Sequence, residues 1–221
     1  MTAGLYPRLT THYSRVEVTT ISLESESLAH FDLERMLQAA LLLADAGMDV
    51  IAWNGTSGGW CGLETDYALC EAITSRTGAQ ATTSTLALIE AFKTYDVRNY
   101  ALAVPYLESI TRAIISTYAG VGFNCTSWGC LGISVNSEFA YVPDATMRDL
   151  VRRSDHRDAD AIAIICTNFP AAWLVEDMEA ELGKPIFDST IVTVWHALRL
   201  AGLVDSLAGW GKLLREHFTA P

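Results

Sequence analysis

The chain has 221 residues, half of them hydrophobic, with a formal net charge of −11. That length suits one large domain or two small α/β lobes and buries enough surface to need no disulfide staples. The negative charge argues against nucleic-acid binding, which needs a basic face, and five irregularly spaced cysteines argue against a secreted disulfide framework.

No leader pattern is visible at the start. The longest apolar stretch, 36–44, is interrupted by Gln38 and is too short to span a bilayer. The expected location is cytoplasmic.

Elements alternate along the chain. Residues 16–22 (VEVTTIS) are β-branched and predict a strand. Helical spacing over 33–46 ends at Gly47, and 49–53 (DVIAW) reads as a buried parallel strand. A small-residue loop, 55–59 (GTSGG), leads to a helix over 63–76. A strand at 82–84 precedes a helix at 85–92, and a strand at 100–104 precedes a helix at 107–118. Residues 122–133 look extended, and 145–153 are helical. The run 161–165 (AIAII) is another buried strand, followed by a helix at 171–182, a strand at 185–187, and helices at 190–200 and 204–218. Such alternation predicts parallel sheets with helices on both faces.

The chain also repeats itself. DVIAWNGTS at 49–57 matches DAIAIICTN at 160–168 at an offset of 111, and the Gly…Ser-Thr pattern of 78–85 recurs at 183–190 at an offset of 105. Two matches in the same order predict two pseudo-symmetric lobes with a site between them. The boundaries expected are 1–98 plus a C-terminal helix at 204–221 for the first lobe, and 99–203 for the second. By the same symmetry, a counterpart of the strand at 100–104 would fall before Met1, so the first lobe is expected to lack its first strand.

In parallel α/β sheets ligands sit beyond the carboxyl ends of strands, which selects the candidate residues. Cys166 ends a buried strand beside a helix N-terminus, where a thiol can be tuned to give or take a proton. Thr56 and Ser57 offer hydroxyls and N–H groups to a carboxylate or enolate oxygen. Tyr106 follows a strand end, Thr167 and Asn168 mirror Thr56 and Ser57, and Gly55 opens the first loop. Ser189 and Thr190 follow another strand end, where capping of the next helix explains them about as well. Cys125 and Cys130 have no histidine or second cysteine pair nearby, so no metal site is expected. The five histidines are scattered, and no dinucleotide or Walker fingerprint is present.

Strand-Gly-Thr-Ser in one half, strand-Cys-Thr in the other, and the closing Gly-Lys-Pro…Ser-Thr…Trp-His-Ala-Leu-Arg-Leu-Ala-Gly resemble the aspartate/glutamate racemase superfamily. The similarity is greatest to its arylmalonate decarboxylase and maleate cis-trans isomerase branch. It implies a cofactor-free enzyme acting on a small carboxylate. Racemases and maleate isomerases of this superfamily carry one cysteine in each half, whereas here the first-half position is Gly55 and only Cys166 remains. That combination resembles arylmalonate decarboxylase. It implies that Thr56, Ser57 and Tyr106, with the Thr167 backbone, hold the retained carboxylate as it becomes an enediolate, and that Cys166 delivers the proton. The expected function is decarboxylation of malonate-type diacids, aryl-substituted ones included. The alternatives are maleate isomerisation or racemisation of a small dicarboxylate or amino acid, and a non-catalytic binding protein. Monomer and homo-oligomer both stay open.

Overall fold

The apolar runs assemble into two parallel sheets. The structure is a computed structural model, described over residues 8–203 and 206–216. The first sheet pairs β1 (Val50–Trp53) with β2 (Gln80–Thr83), in register from Val50↔Gln80 to Trp53↔Thr83. The second has the order β4-β3-β5-β6, with β3 at Asn99–Val104, β4 at Asn124–Cys130, β5 at Ala161–Ile164 and β6 at Ile186–Asp188. Every residue of β5 is buried, as a central strand covered on both faces requires.

The repeat is structural. β1 and β5 keep the offset of 111 at both ends, and each is followed by a loop, a helix and a second strand. In the first lobe that helix is α4 (Leu63–Thr77), closed by Gly78 at φ 76; in the second it is α9 (Val175–Leu182), closed by Gly183 at φ 69. Both glycines sit in the left-handed region that favours their lack of a Cβ. β2 leads into α5 (Ser84–Thr94), where the Thr83 hydroxyl accepts from Leu86 N–H; β6 leads into α10 (Ser189–Leu200), where Asp188 Oδ1 accepts from Thr190 and Ile191 N–H.

The symmetry is incomplete. β5 is flanked by β3 and β6, but among the described residues β1 pairs only with β2, and the first sheet has no counterpart of β3 or β4.

The strand expected over 16–22 does not form. Its one β-contact is an antiparallel bridge from Thr20 to Val135. The segment is an extended strap instead: Asn136 N–H donates to the Thr19 carbonyl, Ile21 N–H to the Ser134 carbonyl, and the Asn136 side chain to the Val18 carbonyl. The β-branched alternation is real, but it serves burial against two lobes rather than a ladder.

Helices complete the layers. α2 (Leu33–Ala44), capped by Asp32, packs with α4 and β1 around Met36, Leu37, Ala40, Ile51, Leu69 and Ile73. The larger core surrounds the second sheet, joined by α6 (Glu108–Gly120) and α8 (Asp144–Ser154). α5 reaches into it: the Phe92 ring meets Tyr100, Tyr118, Phe123 and Phe187. Of the helix expected over 204–218, only Lys212–Glu216 is helical; residues 206–211 form turn and loop instead, and 204–205 and 217–218 lie outside the described residues. Expected on the first lobe, it contacts the second: Lys212 N–H donates to Glu179 Oε2 at 2.7 Å, and Leu213 and Leu214 join the larger core.

Candidate active site

At the end of β1 the chain tightens. Gly55 N–H donates to the Trp53 carbonyl at 2.8 Å, a three-residue turn. Thr56 and Ser57 follow, both buried, and open a single turn of helix, Gly58–Cys61. This turn rests on Asp66, which is 1% exposed and accepts from the Thr83 hydroxyl. A Cβ on Gly58 would lie 2.5 Å from the Asp66 carboxyl carbon, so glycine is what lets the turn approach it.

The second lobe contributes two strand ends. β3 runs into Pro105 and Tyr106, whose carbonyls accept from Ile133 and Gly132 N–H. The Tyr106 hydroxyl lies 3.0 Å from Thr56 Oγ1, a buried hydrogen bond that joins the lobes. The Tyr106 ring is held edge-on by Trp60 and Phe139, each 5.3 Å away. Two residues beyond the end of β5 lies Cys166, whose thiol meets the Tyr106 hydroxyl and the backbone N–H groups of Asn168 and Phe169.

Burial pushes the Cys166 thiol up to about 12, and the Asp188 charge adds to it. The N–H groups expected to tune the thiol do pull it down, as does Tyr106, but desolvation outweighs them. The thiol is therefore neutral at pH 7. Burial also drives Tyr106 well above its ordinary value, so both groups are proton donors in their resting state.

A pocket of about 340 Å³ lies between the lobes. Gly55, Thr56, Tyr106, Cys166, Thr167 and Asn168 all line it. Ser57 does not; its Oγ accepts from Trp53 Nε1 at 3.2 Å. Ser189 is turned away as well, donating to the Ile164 carbonyl at 3.1 Å and 1% exposed. Sequence reasoning missed the pocket's other side: His12 to Val16, Val18 and Ile21 of the strap, and Asn136, whose carbonyl accepts from the Asn168 side chain at 2.6 Å. The alternation over 16–21 was the available signal. His196, inside α10, is packed: its Nδ1 meets Thr82 Oγ1 at 2.8 Å. Among the described residues no three His, Cys, Asp or Glu side chains converge as a metal site would need.

Two pseudo-symmetric α/β lobes thus enclose a cleft that holds a buried thiol and an inter-lobe hydroxyl pair. The arylmalonate decarboxylase family model matches residues 3–214, and the chain belongs to that family. It is 28% identical over 218 residues to arylmalonate decarboxylase from Bordetella bronchiseptica, covering 97% of this chain and 90% of that one. It is 27% identical over 212 residues to maleate isomerase from Nocardia farcinica, covering 93% and 83%. Among solved structures, a Nocardia farcinica maleate cis-trans isomerase mutant with a covalently bound succinylcysteine intermediate superposes with a TM-score of 0.85 at 26% identity, covering 93% and 86%. A liganded arylmalonate decarboxylase double mutant gives 0.82 at 25%, covering 90% and 85%. No described helix is long and apolar enough to cross a membrane.

Proposed function

We propose that the protein is a cofactor-free decarboxylase of malonate-type diacids. The observation that carries this reading is the asymmetry of the pocket: one lobe supplies a buried neutral thiol, Cys166, and the other supplies glycine at the matching position, Gly55.

Racemisation by two bases needs a proton-handling group on each face of one carbon. Decarboxylation needs a place for developing negative charge and one acid. Thr56, Tyr106 and the N–H groups around Thr167 surround the space where a carboxylate would become an enediolate, and each well-placed donor lowers such a barrier by about 3 kcal/mol. As carbon dioxide leaves, the electron pair of the broken C–C bond enters the enediolate. The Cys166 S–H bond then breaks as the new C–H bond forms. The thiolate regains a proton from water.

The isomerase reading has its own support in the maleate isomerase relatives. It calls for a cysteine acting as thiolate, and the raised Cys166 thiol works against that.

The test is carbon dioxide release from phenylmalonate and methyl-phenylmalonate, with Cys166→Ser alongside and maleate-to-fumarate conversion as the second assay. Release that falls by about 100-fold or more in the mutant is the expected result for loss of a general acid. Fumarate formation without carbon dioxide would replace this reading with the isomerase one. Activity in neither assay, with a ligand still bound, would favour a binding protein.

A further inference from the structure

The offset of 111 that carries β1 onto β5 also carries Gly55 onto Cys166 and Trp53 onto Ile164. Gly55 and Cys166 thus face the pocket from opposite lobes, and both line it. Ile164 is 1% exposed, in a strand paired on both sides. Trp53 sits on a strand paired on one side among the described residues, is half-buried, and lines the pocket itself. Its indole folds back over the turn that it begins. A Cβ built on Gly55 would lie 2.3 Å from Trp53 Cε2 and 2.6 Å from Nε1, closer than real side-chain atoms come. The indole N–H donates to Ser57 Oγ, which anchors the ring there.

We propose that Trp53 is the specificity-determining residue of the pocket: its indole closes the substrate face opposite Cys166, so the carbon between them is protonated from one side only. This rests on the decarboxylase reading for its chemical consequence, though not for the position of the ring. The volume that a second proton donor on residue 55 would need is filled by the indole. Ser57, out of the pocket lining, becomes the anchor of that wall.

The experiment compares wild type, Gly55→Cys and Gly55→Cys/Trp53→Ala. Its first arm uses no substrate: the thiol at 55 is alkylated with iodoacetamide and followed by peptide mass. With the indole covering it, alkylation is at least about tenfold slower in the single variant than in the double. Equal rates would overturn the proposal. The second arm decarboxylates methyl-phenylmalonate in deuterium oxide. Wild type and Gly55→Cys are expected to give one deuterated enantiomer, and the double variant both. One enantiomer from a double variant whose Cys at 55 alkylates quickly would also overturn it. If Gly55→Cys fails to fold, Trp53→Ala alone decides: enantiomeric purity falls as water enters the opened face, and undiminished purity counts against the wall. If wild type releases no carbon dioxide, the decarboxylase reading fails while the alkylation ratio still decides where the indole sits.

Discussion

Two buried carboxylates frame the site without entering it. Asp188 caps α10 with Oδ1, while its Oδ2 is buried with no hydrogen-bond partner among the described residues. Burial pushes Asp188 up to about 7 and Asp66 up to about 6, against the pull of the N–H and hydroxyl groups they accept from. Both are acids whose folded pKa is raised, so the folded state keeps protons that the unfolded chain has lost. Their stabilisation is complete below about pH 4 and is lost as pH rises through 6 to 7. Asp188→Asn cannot ionise yet still caps a helix. Its stability to urea should exceed wild type by roughly 4 kcal/mol at about pH 8, with little difference at about pH 4. A wild-type stability that instead rises across that interval would refute the argument. Neither carboxylate stood out in the sequence, because an Asp at the start of a helix looks alike whether it is wet or buried. Cys166, Tyr106 and Thr56 did stand out, since strand ends are where parallel sheets place chemistry. Ser189 obeys the same rule and yet faces a carbonyl, because a hydroxyl beside a strand end is satisfied as well by backbone as by a ligand.

At the scale of elements, the buried strands were legible because apolar runs bounded by small residues have few other uses. The strap was not, because alternation reports which side is buried and not what lies alongside. A strand needs a neighbour offering free backbone groups, and the segment over 16–22 meets one for a single bridge. The paired C-terminal glycines of α4 and α9 give a cleaner test of element-level design. A Cβ at Gly183 would meet nothing within 4 Å, so substitution is opposed by backbone conformation alone. Gly183→Ala should cost about 1–2 kcal/mol, the penalty of the left-handed region for a residue with a Cβ, read from the urea midpoint at unchanged slope. Gly78→Ala, equally open, should cost the same if the repeat is energetic as well as geometric. A clear difference between the two would mean that the lobes resist local strain unequally.

For the whole molecule, the repeat foretold two lobes with a pocket between them, but it did not show how they are joined. α5 and α10, equivalent under the repeat, meet each other, and Thr193 Oγ1 lies 2.7 Å from Ser84 Oγ. Thr193 Oγ1 is also 2.7 Å from the Ser189 carbonyl, so its one proton goes to that carbonyl while its oxygen accepts from the Ser84 hydroxyl, and one side chain ties its own helix and the other lobe's. Ser84 and Thr193 are both buried, so neither has water as a substitute partner. Thr193→Val keeps the shape and removes the hydroxyl, leaving the Ser84 hydroxyl stranded at a cost of about 1–3 kcal/mol. Ser84→Ala in that background removes the stranded group and should recover part of the loss. The double-mutant cycle should thus show a coupling of about 1 kcal/mol in denaturant unfolding. Additive effects would instead mean that this hydroxyl pair adds nothing to the hold between the lobes. Where coupling is found, the same cycle should appear in substrate affinity. Thr56 and Tyr106 stand on different lobes, and their 3.0 Å hydrogen bond survives only if α5 and α10 hold the cleft at this width.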